Sequence, residues 1–223
     1  MQPSDTVQPI VLLVDKEDPA AHYDAVAAAA AASVSAYARR DSDDAWENWV
    51  FGRFTKTVRR AGPKAFAKLA AHAPSGTVVV GRAQALAFEP VTYEEMPKAV
   101  RALQVSGTQL PDDEPVPGRE GAPVVVVNAD LEMSTGKAGA QAAHALLAWY
   151  LTLSDQERST WFDGGCPVSV RAAGGADFKA LAAAAGAGPL IVDAGMTEIA
   201  PNTATAFVAA AGFGKSGLPA AAR

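Results

Sequence analysis

The sequence predicts an α/β protein in which one three-layer α/β/α unit, with a small mixed sheet, occurs twice. Each half opens with a proline followed by an apolar run, at residues 9–14 and 123–127, which is typical of a strand buried on both faces. Each run leads into an alanine-rich stretch, at 24–40 and 137–153, and alanine has the highest helix propensity. The same order of elements therefore occurs on both sides of the middle of the chain.

The two halves also share a longer similarity. Residues 58–73 align with 170–185, and besides the alanines Val, Arg, Gly, Phe and Leu fall in register. After a glycine-containing turn each half has a further short apolar run, at 77–80 and 189–192. The order strand, helix, strand, helix, strand predicts a mixed sheet with helices on both faces. We expect a tandem duplication whose copies pack on each other as an intramolecular pseudo-dimer about an approximate two-fold axis.

A linker separates the two halves. Residues 109–123 combine prolines with acidic residues and glycines, a composition that sustains neither a helix nor a core. We therefore predict a first domain at 1–108, a linker at 109–122 and a second domain at 123–223.

Composition restricts the class of protein. The chain has 223 residues, 49% of them hydrophobic, and a formal net charge of −5, which permits real cores and argues against a long nucleic-acid footprint. The basic stretch 53–60 could form a local patch, although such a stretch is more often a solvated element. No run approaches the roughly 18 apolar residues of a membrane span and no targeting signal is visible, which predicts a cytoplasmic protein without membrane partners.

Cysteine usage excludes two kinds of site. The single cysteine, Cys166, allows neither an internal disulfide nor a cysteine-rich metal centre. It has no evident histidine partner in the sequence, so we expect a buried structural thiol.

The segment 132–144 joins the first strand of the second half to its helix, a corner where ligand sites are common in α/β proteins. Gly136 and Lys137 resemble the end of a phosphate-binding P-loop. That motif also needs a glycine five residues before Gly136 and a Ser or Thr after Lys137, where this chain has Leu131 and Ala138. The P-loop interpretation therefore fails.

A helix face offers a better interpretation of the same segment. Lys137, Gln141 and His144 follow the i, i+4, i+7 spacing of one stripe that begins at the positive end of the helix. On the residues alone, Lys137 could equally be a solvated first-turn residue. His144 could likewise be a core histidine bonded to a backbone carbonyl.

A second segment, 193–205, places Asp193 at the carboxyl end of a buried strand, before a glycine turn. Taken together, Met-Ser-Thr-Gly-Lys-Ala-Gly-Ala-Gln-Ala-Ala-His-Ala and Asp-Ala-Gly-Met-Thr-Glu-Ile-Ala-Pro closely resemble the two signatures of the type II peptidyl-tRNA hydrolase family. The resemblance covers about 122–214, and two separated motifs in the correct order make it fairly specific.

The resemblance implies a site and a reaction. Lys137, Gln141 and Asp193 match the catalytic positions of the family, and the substrate-binding positions fall on a further set, Thr135, His144, Thr197 and Thr203. The implied reaction is hydrolysis of the ester between a peptide and the terminal ribose of tRNA, without a metal or an organic cofactor.

Three residues depart from the family pattern. Thr135 stands where the family usually has a second lysine, Met196 where it often has a basic residue, and Glu198 where it has Gln. All three changes remove positive charge or add negative charge near the expected entrance for tRNA. They put binding of tRNA in doubt more than they put hydrolysis in doubt.

The first half keeps no reacting group in the alignment. Asp24 or Ala25 lies over Lys137, and Gly81 lies over Asp193. We interpret this half as a degenerate copy that supplies a packing surface, with His22 and His72 as ordinary surface or helix residues.

Two functions from different classes remain. The first is hydrolysis of peptidyl-tRNA, and the alternative is a non-catalytic binding or regulatory protein that retains the fold without the tRNA-facing lysines. Convergence of Arg171, Lys179 and Lys215 around Lys137 would favour tRNA, and an acidic cavity mouth would favour the alternative. Further oligomerisation is not indicated by the sequence.

Overall fold

A computed structural model describes residues 6–40, 44–184, 188–195 and 198–209 of the chain. The first half contains four strands and four helices: β1 (Val7–Leu13), α1 (His22–Ala38), α2 (Asp44–Val50), β2 (Thr55–Ala61), α3 (Pro63–Ala70), β3 (Gly76–Val80), β4 (Ala83–Ala87) and α4 (Lys98–Arg101). The second half contains four strands and three helices: β5 (Val124–Asn128), α5 (Thr135–Thr152), α6 (Asp155–Asp163), β6 (Ser169–Ala173), α7 (Gly175–Ala184), β7 (Ile191–Asp193) and β8 (Thr203–Ala209).

The two sheets have the same topology. Their strand orders are β2-β1-β4-β3 and β6-β5-β8-β7, with one parallel pair, β1·β2 or β5·β6, and two antiparallel pairs in each. This confirms the α/β class with a mixed sheet in each half and is consistent with a duplicated unit. The sequence missed one strand per half, because β4 and β8 contain alternating alanines that indicate helix as readily as strand.

Helices α1 and α5 pack on each other between the two sheets. Helix α1 also contacts β6 of the second sheet, and α5 contacts β2 of the first. One buried cluster accordingly contains residues of both halves, among them Ile10, Val125 and Leu146. The halves therefore share a core, while an approximate two-fold axis between them stays a prediction.

The outer faces of the sheets are covered by α3 and α7. Phe66 and Leu69 of α3 are buried against the first sheet, and Phe178 and Leu181 of α7 are buried against the second. These are the aromatic and leucine positions that matched in the alignment of 58–73 with 170–185. The retained residues of that alignment thus perform the same packing role in both halves.

Strand β2 corrects one sequence interpretation. The basic stretch 53–60 is not a solvated element, because Lys56 and Arg59 are 8% and 3% exposed. Arg59 Nη1 donates hydrogen bonds to the carbonyl oxygens of Arg101 and Leu103, at 3.1 and 3.0 Å. Lys56 points to the other face of the strand, the face that Val58 buries in the shared core.

The segment 109–122 contains no helix or strand and contacts both halves. The Val116 amide donates to Asp24 at 3.0 Å, and Arg119 donates to the Gly164 carbonyl at 2.6 Å. Cys166 is buried, and burial raises the pKa of its thiol. Within the described ranges, no helix has the length and apolar character needed to cross a membrane.

Close approach of α1 and α5 depends on small side chains, and Gly139 of α5 lies directly against α1. A Cβ atom at Gly139 would lie 3.2 Å from the Ala29 Cβ. We expect Gly139→Val to lower the free energy of unfolding by about 1–3 kcal/mol, because the added methyl groups overpack the interface. Denaturant unfolding of the variant measures this change.

Ala180→Val on the exposed side of α7 is the matched control and should cost only the difference in helix propensity, about 0.6 kcal/mol. Equal losses for the two variants would contradict a tight α1–α5 contact at Gly139.

Candidate active site

Helix α5 begins with a side-chain cap. The Ser134 hydroxyl accepts a hydrogen bond from the Lys137 amide at 3.2 Å. The Glu198 carboxylate in turn accepts from the Ser134 amide at 3.0 Å and from its hydroxyl at 2.8 Å. A carboxylate is favourable at the positive end of a helix, so Glu198 fixes the first turn of α5 and the position of Lys137.

Asp193 is held in place by the turn that follows β7. Its Oδ1 accepts a hydrogen bond from the Gly195 amide at 2.7 Å. Gly195 has a φ of +79°, and a Cβ atom there would lie 2.7 Å from Pro201. This turn requires glycine at position 195 and aims the carboxylate toward α5.

The structure brings Lys137, Gln141 and Asp193 together. Lys137 Nζ and Gln141 Nε2 both donate to Asp193 Oδ2, at 2.5 and 2.7 Å. The Lys137 and Asp193 side chains are only 11% and 7% exposed. One carboxylate oxygen therefore receives both donors of the helix face in a largely desolvated position.

Thr205 completes this cluster and was missed by the sequence. It is fully buried, and its hydroxyl donates to Gln141 Oε1 at 2.7 Å, with the Ile191 carbonyl oxygen as a more distant acceptor at 3.2 Å. Ile191 pairs with Ala206 and Val192 with Ala204, so Thr205 is an extra residue in a β-bulge of β8. A bulge turns a side chain out of the regular alternation, and here it directs Thr205 toward α5.

The Thr205 bond fixes the orientation of Gln141. Because the amide oxygen accepts from Thr205, the amide nitrogen must face Asp193. That nitrogen carries a second N–H beside the one donated to the carboxylate. Gln141 is thus a donor of fixed orientation.

Two opposing effects set the charge of Asp193. Burial raises its pKa, but hydrogen bonds from Lys137, Gly195 and Gln141 and the charge of Lys137 outweigh burial and hold the pKa below its usual value. Asp193 is therefore ionised at neutral pH.

A cavity of about 600 Å³ opens beside the cluster and is lined by both halves. The second half contributes Lys137, Gln141, His144 and Asp193, and the first half contributes Lys56 among others. Lys56 Nζ lies 3.3 Å from His144 Nδ1, so His144 contacts a lysine rather than a backbone carbonyl. Burial and the nearby charges of Lys56 and Lys137 lower the pKa of His144 well below its usual value.

The substrate-binding residues of the sequence prediction are placed differently. Thr135 is fully buried, does not line the cavity, and bonds through its hydroxyl to His22 Nδ1 at 3.0 Å. Thr203 donates to the Ala200 carbonyl at 2.8 Å and lines a second cavity on the α7 side of the sheet. Thr197 lies outside the described residues, as does Met196. His144 is thus the one member of this set that the described structure brings to the cluster.

Basic residues reach the cavity from the first half. Arg171 is exposed on β6 and Lys179 lines the second cavity, so neither lies at Lys137, and Lys215 is outside the described residues. Arg53 and Lys56 line the cavity in their place, together with Glu198. The mouth therefore carries charges of both signs.

The geometry suits polar chemistry on a small electrophilic centre. An ionised carboxylate can orient a water molecule, while an ammonium and an amide N–H can stabilise developing negative charge. Among the described residues, no group of three or more His, Cys, Asp and Glu lies together as a metal-ligand set.

The pKa of Asp193 tests the cluster directly. Replacing Lys137 by Met removes a hydrogen-bond donor and a positive charge that both oppose the effect of burial, so we expect the pKa of Asp193 to rise. Titration of the side-chain carboxyl carbon by NMR measures it. Lys64→Met, at an exposed position of α3, is the control and should leave the titration of Asp193 unchanged.

The lowered pKa of Asp193 also predicts how its contribution to the free energy of unfolding depends on pH. Because its pKa is lowered in the folded protein, this contribution is present above about pH 4 and is lost as pH falls toward the folded-state pKa. An unchanged pKa in Lys137→Met would contradict the ion pair.

Comparison with known families agrees with the motifs of the second half. The model of the family described as peptidyl-tRNA hydrolase PTH2 matches residues 122–212. The matched span contains α5, β7 and β8, the three elements that carry the cluster. The match to the PTH2 peptidyl-tRNA hydrolase family therefore covers the part of the chain, residues 122–212, that carries the cluster.

Proposed function

We propose that the protein hydrolyses the ester of peptidyl-tRNA and releases peptide and tRNA. The observation that carries the proposal is the Lys137–Asp193–Gln141 cluster, which lies on the wall of an open cavity inside the span matched by the family. An ester of this kind is activated enough for positioned polar groups to hydrolyse it without a covalent enzyme intermediate.

In this reaction Asp193 orients the attacking water. Its lowered pKa makes it a weak base, so positioning the water contributes more than removing its proton in the ground state. The carboxylate also keeps the Lys137 ammonium beside the reacting ester. The proton of the water passes to solvent or to the leaving ribose oxygen as the tetrahedral intermediate collapses.

Lys137 and Gln141 stabilise the oxyanion. Both groups are fixed before substrate arrives, by Asp193 and, for Gln141, by Thr205 as well. Preorganised donors of this kind do not need to reorient as charge develops. The substrate carbonyl would lie in the cavity against these two side chains.

Release of peptide from peptidyl-tRNA tests the proposal. We expect Lys137→Ala and Asp193→Ala each to lower kcat by about 10²–10³, the loss typical of removing one preorganised group from an acyl-transfer site. Lys64→Ala and Asp163→Ala alter exposed residues away from the cavity and should leave the rate unchanged.

Release by the wild-type protein no faster than by these two site variants would remove the enzymatic function. A non-catalytic binding or regulatory protein that retains the fold without the tRNA-facing lysines would then be the better description.

Thr205 provides a finer test. We expect Thr205→Val to lower kcat about fivefold to tenfold with little change in KM, because Thr205 orients Gln141 but does not line the cavity. The unpaired Gln141 oxygen should also cost about 1–2 kcal/mol of stability.

Thr205→Ser keeps the hydroxyl and should restore most of the rate. A Thr205→Ser variant as slow as Thr205→Val would show that the hydroxyl does not act through Gln141.

A further inference from the structure

Lys56 is a buried lysine in the wall of the cavity. It is 8% exposed and comes from β2 of the first half, outside the span matched by the family. Its Nζ lies 3.3 Å from His144 Nδ1, 3.5 Å from the centre of the Phe54 ring and 4.6 Å from that of Trp49. It therefore faces an imidazole and two aromatic rings.

No described carboxylate lies within ion-pair distance of Lys56. An ammonium without a counter-charge is costly in such a position, and burial lowers the pKa of Lys56 well below its usual value. Lys137, in contrast, lies in the same cavity with Asp193 as its counter-ion. Among the described residues, the cavity thus contains one lysine with a carboxylate partner and one without.

We propose that Lys56 and His144 form an anion subsite that binds the phosphate of a nucleoside phosphodiester, beside the Lys137–Asp193 cluster. The choice of a nucleotide as ligand rests on the proposed function, in which the scissile ester is attached to a terminal ribose. That ribose carries a phosphodiester on its 5′ oxygen, so ester and phosphate are separated by a single sugar.

The spacing of the two subsites fits this ligand. Lys137 and His144 are seven residues apart on α5, about 10 Å along the helix axis, and both line the cavity. A ribose with its ester and its phosphate can span such a distance.

The aromatic wall supports the same ligand. Phe54 and the half-exposed Tyr93 both line the cavity, and aromatic rings stack on nucleobases without requiring a particular base. Nucleotide binding at this place would explain why aromatic residues of the first half surround the amine.

Binding of an anion should favour protonation of Lys56. The titratable and charged groups that share the cavity with Lys56 are Arg53, Tyr93, Lys137, His144, Asp193 and Glu198. Asp193 is paired with Lys137, and Glu198 with Ser134. A phosphodiester would therefore supply the counter-charge that favours the ammonium form and raises the pKa of Lys56 on binding.

Calorimetry with a small probe tests this subsite without hydrolysis. The probe is adenosine 5′-(methyl phosphate), a phosphodiester with one charge that does not titrate near neutrality, and adenosine is its uncharged counterpart. We expect the wild-type protein to bind the phosphodiester at least tenfold more tightly, as is typical of a hydrogen bond to a charged group. Titrations at a series of pH values, each in two buffers of different ionisation enthalpy, should reveal proton uptake between the pKa of Lys56 in the free protein and its pKa in the complex.

Lys56→Met is the decisive variant, and Lys64→Met on α3 is its matched control. Lys56→Met should bind the phosphodiester and adenosine about equally and lose the proton uptake, while Lys64→Met should behave as the wild type. Retention of the tenfold preference by Lys56→Met, or absence of that preference in the wild type, would overturn the proposal.

Stability separates this role from a structural one. The unfolded chain binds a proton at Lys56 more readily than the folded protein does, so this group lowers stability at neutral pH. Lys56→Met should consequently have a Tm equal to or above that of the wild type, whereas a clearly lower Tm would assign Lys56 a structural role instead. Phosphodiester binding without peptidyl-tRNA hydrolysis would refute the proposed reaction and leave the subsite standing.

Discussion

The contact between Lys137 and Asp193 is the interaction on which the site depends. It joins the first turn of α5 to the end of β7, and the two residues are 56 positions apart in the chain. Each partner is fixed independently, Lys137 by the Ser134–Glu198 cap and Asp193 by the Gly195 turn. Because both side chains are nearly buried, loss of Lys137 would leave the Asp193 carboxylate without this counter-ion. The same contact thus stabilises the fold locally and prepares the donors.

The first half participates in the site, although the sequence indicated only a packing surface. Helix α1 positions the half against α5, and β2 then extends along α5 so that Lys56 reaches His144. Thr135, at the position where the family usually has a second lysine, is turned away and bonds to His22 of the first half. The second amine of the cavity therefore comes from β2 of the first half and not from position 135 of α5.

Much of this arrangement follows from local sequence, and the rest depends on non-local packing. The i, i+4 spacing predicted that Lys137 and Gln141 share one face of a helix. Asp193 was added to them only by the resemblance to the two family signatures, because its contact with α5 is not local. The role of Thr205 could not be predicted, because the β-bulge interrupts the alternation of side chains from which its orientation would have been inferred. Strands β4 and β8 were missed because their alanines pack in a sheet centre that only tertiary contacts create. The burial of Lys56 could have been predicted from one feature of the sequence. Lys56 and Val58 are two residues apart in a strand, so they share a face, and Val58 is buried.

The two lysines of the cavity have different partners and are therefore suited to different roles. An ammonium neutralised by an adjacent carboxylate keeps its charge and geometry throughout a reaction, which suits stabilisation of a transient oxyanion. Burial favours the neutral form of an amine, and an anion bound beside it would favour the charged form. The fold accepts the unfavourable burial of Lys56 because the shared core of α1 and α5 holds β2 against the site. Burial of Lys56 lowers the stability of the free protein. The same burial would make the cavity favour an anionic ligand over an uncharged one.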